Sequence, residues 1–182
     1  MKLKQSQTKT KTQNENKRID FCFFIRGTRR LNAKGIRSST ITMQALKDKI
    51  AQEGQNLGNG ILKIDSILNH QIYPQLMLDM GKEMAAKFEG IKIDRILTAE
   101  ISGIAPAVMT GVALGVPIVY ARKMKPITMA GPVYLETAPS HTKGVEVGLL
   151  VAAEFLHADE NVLIVDDFLA SGKTLAALAR MV

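Results

Sequence analysis

The stretch NVLIVDDFLASGKT, residues 161–174, joins an apolar run, an acidic pair, a short turn and a helix start. The run from Val162 to Val165 is typical of a strand buried inside a parallel sheet. Asp166 and Asp167 follow at once, and small residues then lead into the helix formers TLAALA. This order predicts a strand, loop and helix unit of an α/β fold, with two carboxylates at the end of the strand.

The ending SGKT is shared with nucleotide-binding P-loops, but the rest of the pattern is not. A P-loop needs a glycine five positions before its Gly-Lys-Thr, so that backbone amides can surround a polyphosphate. Asp167 stands at that position, and its carboxylate would repel phosphates. We therefore expect the loop to bind one compact anion at the helix start, where unpaired amides and the helix dipole favour negative charge.

The acidic pair suits a sugar better than a phosphate, because carboxylates accept hydrogen bonds from hydroxyl groups. Together, the acidic pair and the loop predict a site for a ribose 5-phosphate. The alternative interpretation is a solvated acidic turn after a core strand. That alternative accounts for Asp166 and Asp167, but not for the whole series of residue types around them.

A second unit of the same kind lies earlier in the chain. IDRILTAE, residues 93–100, predicts a strand that ends at Glu100, and Ser102 and Gly103 precede a helical segment. The next strand is PIVYARK. Because ligand sites in parallel sheets lie at the carboxyl ends of the strands, this loop and the one after Asp166 should open on the same edge.

Other segments complete the predicted fold. Residues 43–54 predict a short amphipathic helix with a glycine stop, and residues 61–70, ILKIDSILNH, are expected to be extended. Residues 123–144 are interrupted by proline and predict a long surface loop. One buried helix face is indicated by four residues at helical spacing, namely Met77, Met80, Met84 and Phe88.

The motif VLIVDDFLASGKT resembles the phosphoribosyl-pyrophosphate (PRPP) binding motif of type I phosphoribosyltransferases. From Met43 onward the chain is similar to bacterial xanthine phosphoribosyltransferases, notably in MQALKDKI, LKIDSILNHQI and TAEISGIAPAVMTGVALGVPIVYARK. The similarity covers about 140 residues. It implies the type I phosphoribosyltransferase fold, a mostly parallel sheet flanked by helices with a small N-terminal hood segment.

The resemblance also implies roles for individual residues. Leu62 and Asn69 would contact the purine, and Asp166 and Asp167 would form the catalytic pair. The 5-phosphate of PRPP would lie on Ala170, Ser171, Gly172, Lys173 and Thr174. The other PRPP contacts, toward the pyrophosphate, would come from Glu100, Ser102, Gly103, Lys123 and Lys125. The loop around residues 140–142 would close over PRPP.

The implied reaction converts xanthine and PRPP to xanthosine 5′-monophosphate and pyrophosphate, a step of purine salvage. Mg²⁺ would bridge pyrophosphate and ribose oxygens, so it would be bound mainly through PRPP, and we predict no protein metal site. The family resemblance implies a homodimer.

The basic charge of the chain is concentrated in residues 1–42. They contain 11 Lys and Arg against 2 acidic residues, whereas residues 43–182 contain 13 basic and 15 acidic residues. We expect a largely disordered basic leader, 1–42, and a phosphoribosyltransferase domain, 43–182. We interpret the leader as sequence upstream of a true start at Met43. A nucleic-acid-binding arm is the alternative, and FCFFI is too short for a typical secretory signal.

Two other hypotheses concern activity. The resemblance implies further residues beyond Val182, so we expect a domain that is incomplete at its C-terminus, and the chain could be an inactive fragment. It could instead be a regulator that senses PRPP and binds nucleic acid through the leader. The leader has few aromatic residues to stack on bases, so we do not expect nucleic acid as a partner.

The remaining composition is consistent with a cytoplasmic protein. Cys22 is the only cysteine, which excludes an intramolecular disulfide and a cysteine metal cluster. The histidines, at positions 70, 141 and 157, are too scattered to predict a zinc site. No apolar run approaches the roughly 18 residues of a membrane span, so we expect no membrane partner.

Overall fold

The computed structural model describes residues 22–26, 43–58, 60–139 and 146–182. The strands are β1 (Cys22–Arg26), β2 (Gln55–Gly58), β3 (Ile61–Lys63), β4 (Arg95–Ala99), β5 (Ile118–Ala121), β6 (Val133–Pro139), β7 (Glu146–Ala152) and β8 (Val162–Asp166). The α-helices are α1 (Gln44–Glu53), α2 (Pro74–Ala86), α3 (Ile104–Leu114) and α4 (Lys173–Met181). A π-helical turn, Asp65–Asn69, precedes α2, and a 3-10 turn, Ala153–Phe155, follows β7.

The central sheet has the strand order β1, β8, β4, β5. β4 pairs in parallel with both β8 and β5, with Leu97 opposite Ile164 on one side and Val119 on the other. All five residues of β8 are buried, as the uninterrupted apolar run predicts for a strand covered on both faces. The predicted mostly parallel α/β sheet is confirmed.

Two apolar clusters cover the two faces of this sheet. On one face, Leu163 and Val165 of β8 pack with α2, α3 and the hood segment. On the other, Val162 and Ile164 pack with α4 and with the hairpin of β6 and β7. Successive strand residues point to opposite faces, which explains this division. The predicted methionine stripe is confirmed, since Met77, Met80 and Met84 of α2 are buried in the first cluster. Phe88 is buried there too, but it lies in the turn after α2.

The hood segment differs in part from the sequence prediction. The helix predicted over 43–54 is present as α1, and it ends at Gly54. The prediction of an extended chain over 61–70 is wrong beyond Lys63, because residues Asp65–Asn69 form the π-helical turn. This turn buries Ile67 and Leu68 together against the first cluster, which a continuing strand with alternating faces would not do.

The segment between β5 and β7 also contains more structure than predicted. Residues 123–132 are a loop, but Val133–Pro139 form β6, which pairs antiparallel with β7 along seven residues. The prediction of one long loop over 123–144 is therefore wrong for this strand. The residues expected to close over PRPP, 140–142, lie outside the described residues.

One piece of the leader is also ordered. β1 pairs antiparallel with β8, with Phe24 opposite Ile164, and forms one edge of the central sheet. Residues 22–26 of the leader thus form a strand, which pairs with the edge of β8 that β4 leaves open, and the largely disordered leader stays a prediction for the other residues. The rest of the leader lies outside the described residues. Within the described ranges, no helix has the length and apolar character needed to cross a membrane.

Candidate active site

The ends of three parallel strands meet at one edge of the central sheet. The loop after β4 carries Glu100, the loop after β5 carries Lys123, and β8 ends in Asp166. The Glu100 carboxylate accepts a hydrogen bond of 2.6 Å from the Lys123 backbone N–H. Lys123 also lies close enough to Asp166 for its charge to act on that carboxyl. The structure therefore brings together three segments that sequence reasoning assigned to one site.

Asp166 is a carboxyl group held in an environment that disfavours its charge. It is only 7% exposed. Burial raises its pKa to about 7, and the negative charge of Asp167 contributes in the same direction. The positive charge of Lys123 opposes this shift with a smaller effect. Near neutral pH the protonated and ionised forms of the Asp166 carboxyl are therefore similarly populated, and a nearby positive charge favours the ionised form.

Asp167 lies beside Asp166 but is more accessible, with intermediate exposure. Its backbone N–H donates a 3.1 Å hydrogen bond to the Asp166 carboxylate. The two carboxyls thus differ in environment, and Asp166 is the more desolvated of the two. Such a difference allows neighbouring acids to take different roles in one site.

Gly103 lets the loop after β4 come into contact with Asp166. A Cβ atom placed on Gly103 would lie 2.4 Å from Thr98 Oγ1 and 2.8 Å from Asp166 Oδ1. Both distances are shorter than the contacts that Cβ atoms make, so a side chain at position 103 would displace the Thr98 and Asp166 side chains. Sequence reasoning selected Gly103 from its loop but missed Thr98, a buried threonine between the apolar residues Leu97 and Ala99 of β4.

The phosphate loop has the geometry of a helix start. Gly172 adopts a left-handed conformation, with φ of 75°, directly before α4 begins at Lys173. Its carbonyl accepts a hydrogen bond from the Ala176 N–H at 2.9 Å, which closes the first helical turn. The Ser171 hydroxyl accepts a 3.4 Å bond from the Lys173 N–H. The first amides of a helix lack intrahelical acceptors, so this turn can bind one phosphate.

For the remaining predicted PRPP residues, the structure gives mainly the exposure of the side chain. Ala170 and Lys173 are exposed, Thr174 and Ser102 have intermediate exposure, and Lys125 is exposed in the loop after β5. Lys173 is thus free to direct its charge to solvent or to a phosphate. No contact joins Lys125 to the aspartates within the described residues, so its role stays a prediction.

The two predicted purine contacts belong to the hood segment. Leu62, in β3, packs against the first apolar cluster, which Phe168 of the loop after β8 also joins. Asn69 is exposed and ends the π-helical turn. The shared cluster brings the hood segment to the side of the sheet from which the acidic pair emerges. Base contact by Leu62 and Asn69 stays a prediction.

Arg122 is a further residue that sequence reasoning did not select. Its guanidinium lies 4.0 Å from the Glu100 carboxylate and over the Tyr120 ring, 5.9 Å from the ring centre. It also lines a groove of about 550 Å³ along β5, together with Arg95 and Phe155. Neither aspartate nor the phosphate loop lines this groove, so we do not place the substrate there.

A profile of the phosphoribosyl transferase domain matches residues 64–182. The chain belongs to the phosphoribosyltransferase family. It is 52% identical over 140 residues to the xanthine phosphoribosyltransferase of Deinococcus deserti, covering 77% of this chain and 72% of that protein. It is 46% identical over 139 residues to the xanthine phosphoribosyltransferase of Lactobacillus acidophilus, covering 76% and 72%. The similarity to xanthine phosphoribosyltransferases that the motifs indicated is confirmed.

Solved structures of phosphoribosyltransferases share the fold. The adenine phosphoribosyltransferase of Thermoanaerobacter pseudethanolicus superposes with a TM-score of 0.58 at 24% identity, covering 74% of this chain and 77% of that one. At that identity the likeness concerns the fold alone. It confirms the predicted type I phosphoribosyltransferase architecture.

Within the described residues, no group of three or more His, Cys, Asp or Glu side chains is arranged to hold a metal ion. At this edge of the sheet the described residues offer two adjacent carboxylates, those of Asp166 and Asp167. This donor set fits Mg²⁺ bound to a polyphosphate, since that ion retains several waters and phosphate oxygens.

Proposed function

We propose that the chain transfers the phosphoribosyl group of PRPP to xanthine, giving xanthosine 5′-monophosphate and pyrophosphate in purine salvage. The observation that carries this proposal is the acidic pair at the end of β8, with Asp166 buried, which directly precedes the helix-start loop. The same reaction is supported by the chain's membership of the phosphoribosyltransferase family and by its similarity to xanthine phosphoribosyltransferases.

The two halves of the site suit the two ends of the sugar. The 5-phosphate would bind the amides of the loop from Ala170 to Thr174, where the helix dipole of α4 favours negative charge. The ribose hydroxyls would donate hydrogen bonds to Asp166 and Asp167. The pyrophosphate would lie toward the other loops of the edge, against Glu100, Ser102, Gly103, Lys123 and Lys125.

The acidic pair would also act on the reaction itself. As the bond between the anomeric carbon and pyrophosphate breaks, positive charge develops on the ribose ring. Two carboxylates beside that ring stabilise the developing charge, and the burial of Asp166 strengthens the interaction because little water screens it. The purine nitrogen then forms the new bond to the anomeric carbon. The acidic pair therefore stabilises the transition state more than the ground state.

The purine would be recognised by the hood segment. The Asn69 side chain offers both a donor and an acceptor to a base edge, and its exposed position leaves it available to a ligand. Leu62 would support the apolar face of the ring. Mg²⁺ would enter with PRPP and neutralise charge on the leaving pyrophosphate, held mainly by phosphate and ribose oxygens. A homodimer and a cytoplasmic location complete the proposal, on the basis of the family resemblance and the lone cysteine.

The acidic pair is tested by steady-state kinetics with xanthine, PRPP and Mg²⁺. Asp166→Asn and Asp167→Asn should each raise the Michaelis constant for PRPP and lower kcat, with the larger loss of kcat at the buried position. Asp159→Asn is the matched control, because Asp159 is an exposed acid in the turn before β8. Unchanged kinetics in both site variants would reject the assigned role.

A further inference from the structure

Thr98 is a buried polar residue whose hydroxyl has no hydrogen-bond partner in the described part of the chain. It lies in β4 and is 0% exposed, and its Oγ1 makes no hydrogen bond to any of the described residues. Thr110, which is also 0% exposed, behaves differently because its hydroxyl donates to the Pro106 carbonyl at 2.8 Å. An unsatisfied buried hydroxyl costs folding free energy. A threonine at position 98 therefore calls for an explanation other than stability.

The position of the hydroxyl supplies that explanation. Thr98 Oγ1 and Asp166 Oδ1 both lie within 3 Å of the point where a Gly103 side chain would begin. The missing side chain of Gly103 thus leaves a small space that both the hydroxyl and the carboxyl border. Thr98 shares its face of β4 with Ile96, beneath the loop that carries Gly103.

We propose that Thr98 is a positioning residue, whose hydroxyl donates a hydrogen bond to the Asp166 carboxylate and fixes it beneath the ribose when substrate is bound. This inference rests on the role of Asp166 in the proposed function. Both atoms belong to side chains that border the space left by Gly103, so the proposed bond requires only that these side chains turn toward each other. Thr98 lies below the carboxyl and does not touch the substrate.

The electrostatic surroundings of Asp166 make such a donor useful. Asp167 faces it with like charge, and Lys123 faces it from the loop after β5 with opposite charge. A hydroxyl that donates to a carboxylate stabilises the ionised form. Thr98 would therefore act in the same direction as Lys123, and against burial and Asp167, to keep Asp166 ionised in the complex.

The test compares Thr98→Val, which has nearly the same shape without the hydroxyl, with Thr98→Ser, which retains it. We expect Thr98→Val to lower kcat by on the order of tenfold, the effect of losing a hydrogen bond to a charged group. The acid limb of kcat against pH, which reports groups of the enzyme–substrate complex, should move to higher pH, because the ionised carboxylate has lost a donor in that complex. Thr98→Ser should keep kcat, and the pH at which the acid limb lies, near those of the parent chain.

Thermal unfolding separates this role from a purely structural one. Thr98→Val should unfold at the same temperature as the parent or higher, since it removes an unsatisfied polar group from the interior. Should Thr98→Val fail to fold, Thr98→Ala carries the same kinetic prediction because it adds no volume. Unchanged kcat and an unchanged acid limb in the folded variant would overturn the proposal.

A double variant, Thr98→Val with Asp166→Asn, tests the positioning role of Thr98 separately from the role of the acidic pair. If Thr98 acts through Asp166, adding Thr98→Val to Asp166→Asn should cause little further loss of kcat. A full additional loss in the double variant would overturn the positioning role alone. Parental activity in Asp166→Asn itself would instead reject the assigned role of the acidic pair.

Discussion

At the scale of single residues, the chemistry of the site depends on a carboxyl whose charge the fold disfavours. Asp166 stabilises a cationic ribose only when it is ionised, and its pKa of about 7 places that ionisation near neutral pH. The value of kcat/KM for PRPP reports groups of the free enzyme. We therefore predict that kcat/KM rises with pH through about 7 and reaches a plateau above it.

Asp167→Asn provides the matched test of this pH dependence. The charge of Asp167 raises the pKa of Asp166, so its removal should shift the acid limb to lower pH. The measurement is kcat/KM for PRPP between pH 5 and 9, in the parent chain and in Asp167→Asn. An acid limb that does not move in the variant would assign it to another group.

The same carboxyl should make folding stability depend on pH. Its folded pKa is raised from 3.8 to about 7, so its contribution is complete below about 3.8 and is lost as pH rises toward 7. Asp166→Asn removes the ionisable group. We predict that the Tm of the variant minus the Tm of the parent increases as pH rises from 5 to 8. A constant difference in Tm across that range would contradict the raised pKa.

The acidic pair and the phosphate loop could be selected from the sequence because residue type and spacing specify them within fourteen residues. Thr98 could not be selected in this way. Its proposed role depends on the space beside Gly103 that it shares with Asp166, and these residues lie 5 and 68 positions away in the chain. A threonine near the end of a strand has the same appearance in a sequence whether or not a carboxyl faces it.

At the scale of elements, the close approach of α2 and α3 forms the layer below the site. A Cβ atom on Gly81 of α2 would lie 2.4 Å from the backbone carbon of Met109 in α3. Gly81→Ala should therefore force the helices apart and lower the free energy of unfolding by about 1–3 kcal/mol. Chemical denaturation measures this change.

Gly131→Ala is the control for that substitution. Gly131 is exposed, and a Cβ there would meet nothing within 4 Å. Its free energy of unfolding should differ from that of the parent by no more than about 0.5 kcal/mol. Equal stability of both variants would show that the contact between α2 and α3 does not restrict the side chain at position 81.

The elements were predicted best where apolar residues form a regular pattern within one segment of the chain. The methionine stripe of α2 and the apolar run of β8 have this property, and both were identified correctly. Asp65–Asn69 and Val133–Pro139 were not, because their structure depends on distant partners. The π-helical turn packs on a cluster formed by other elements, and β6 is stabilised by pairing with β7.

At the scale of the whole molecule, β1 connects the leader to the central sheet. It pairs with β8, the strand that ends in the acidic pair. A chain that begins at Met43 would leave the backbone groups on that side of β8 unpaired, and such edges promote association. We predict a lower Tm and concentration-dependent self-association for this chain, measured by thermal unfolding and light scattering.

A chain that begins at Phe21 is the control, because it retains β1 and loses residues 1–20. It should keep the Tm and the association behaviour of the full chain. If the chain from Met43 is as stable as the full chain and no more prone to associate, the pairing of β1 with β8 is not a stabilising part of the molecule.

The central claim is that this chain is a phosphoribosyltransferase that uses xanthine. The most direct measurement is phosphoribosyl transfer by the purified full chain, with PRPP and Mg²⁺ and with xanthine, guanine, hypoxanthine or adenine in separate reactions. We predict the highest kcat/KM with xanthine, and loss of that activity in Asp166→Asn. A higher kcat/KM with any other base, or no transfer to any of the four, would contradict the account.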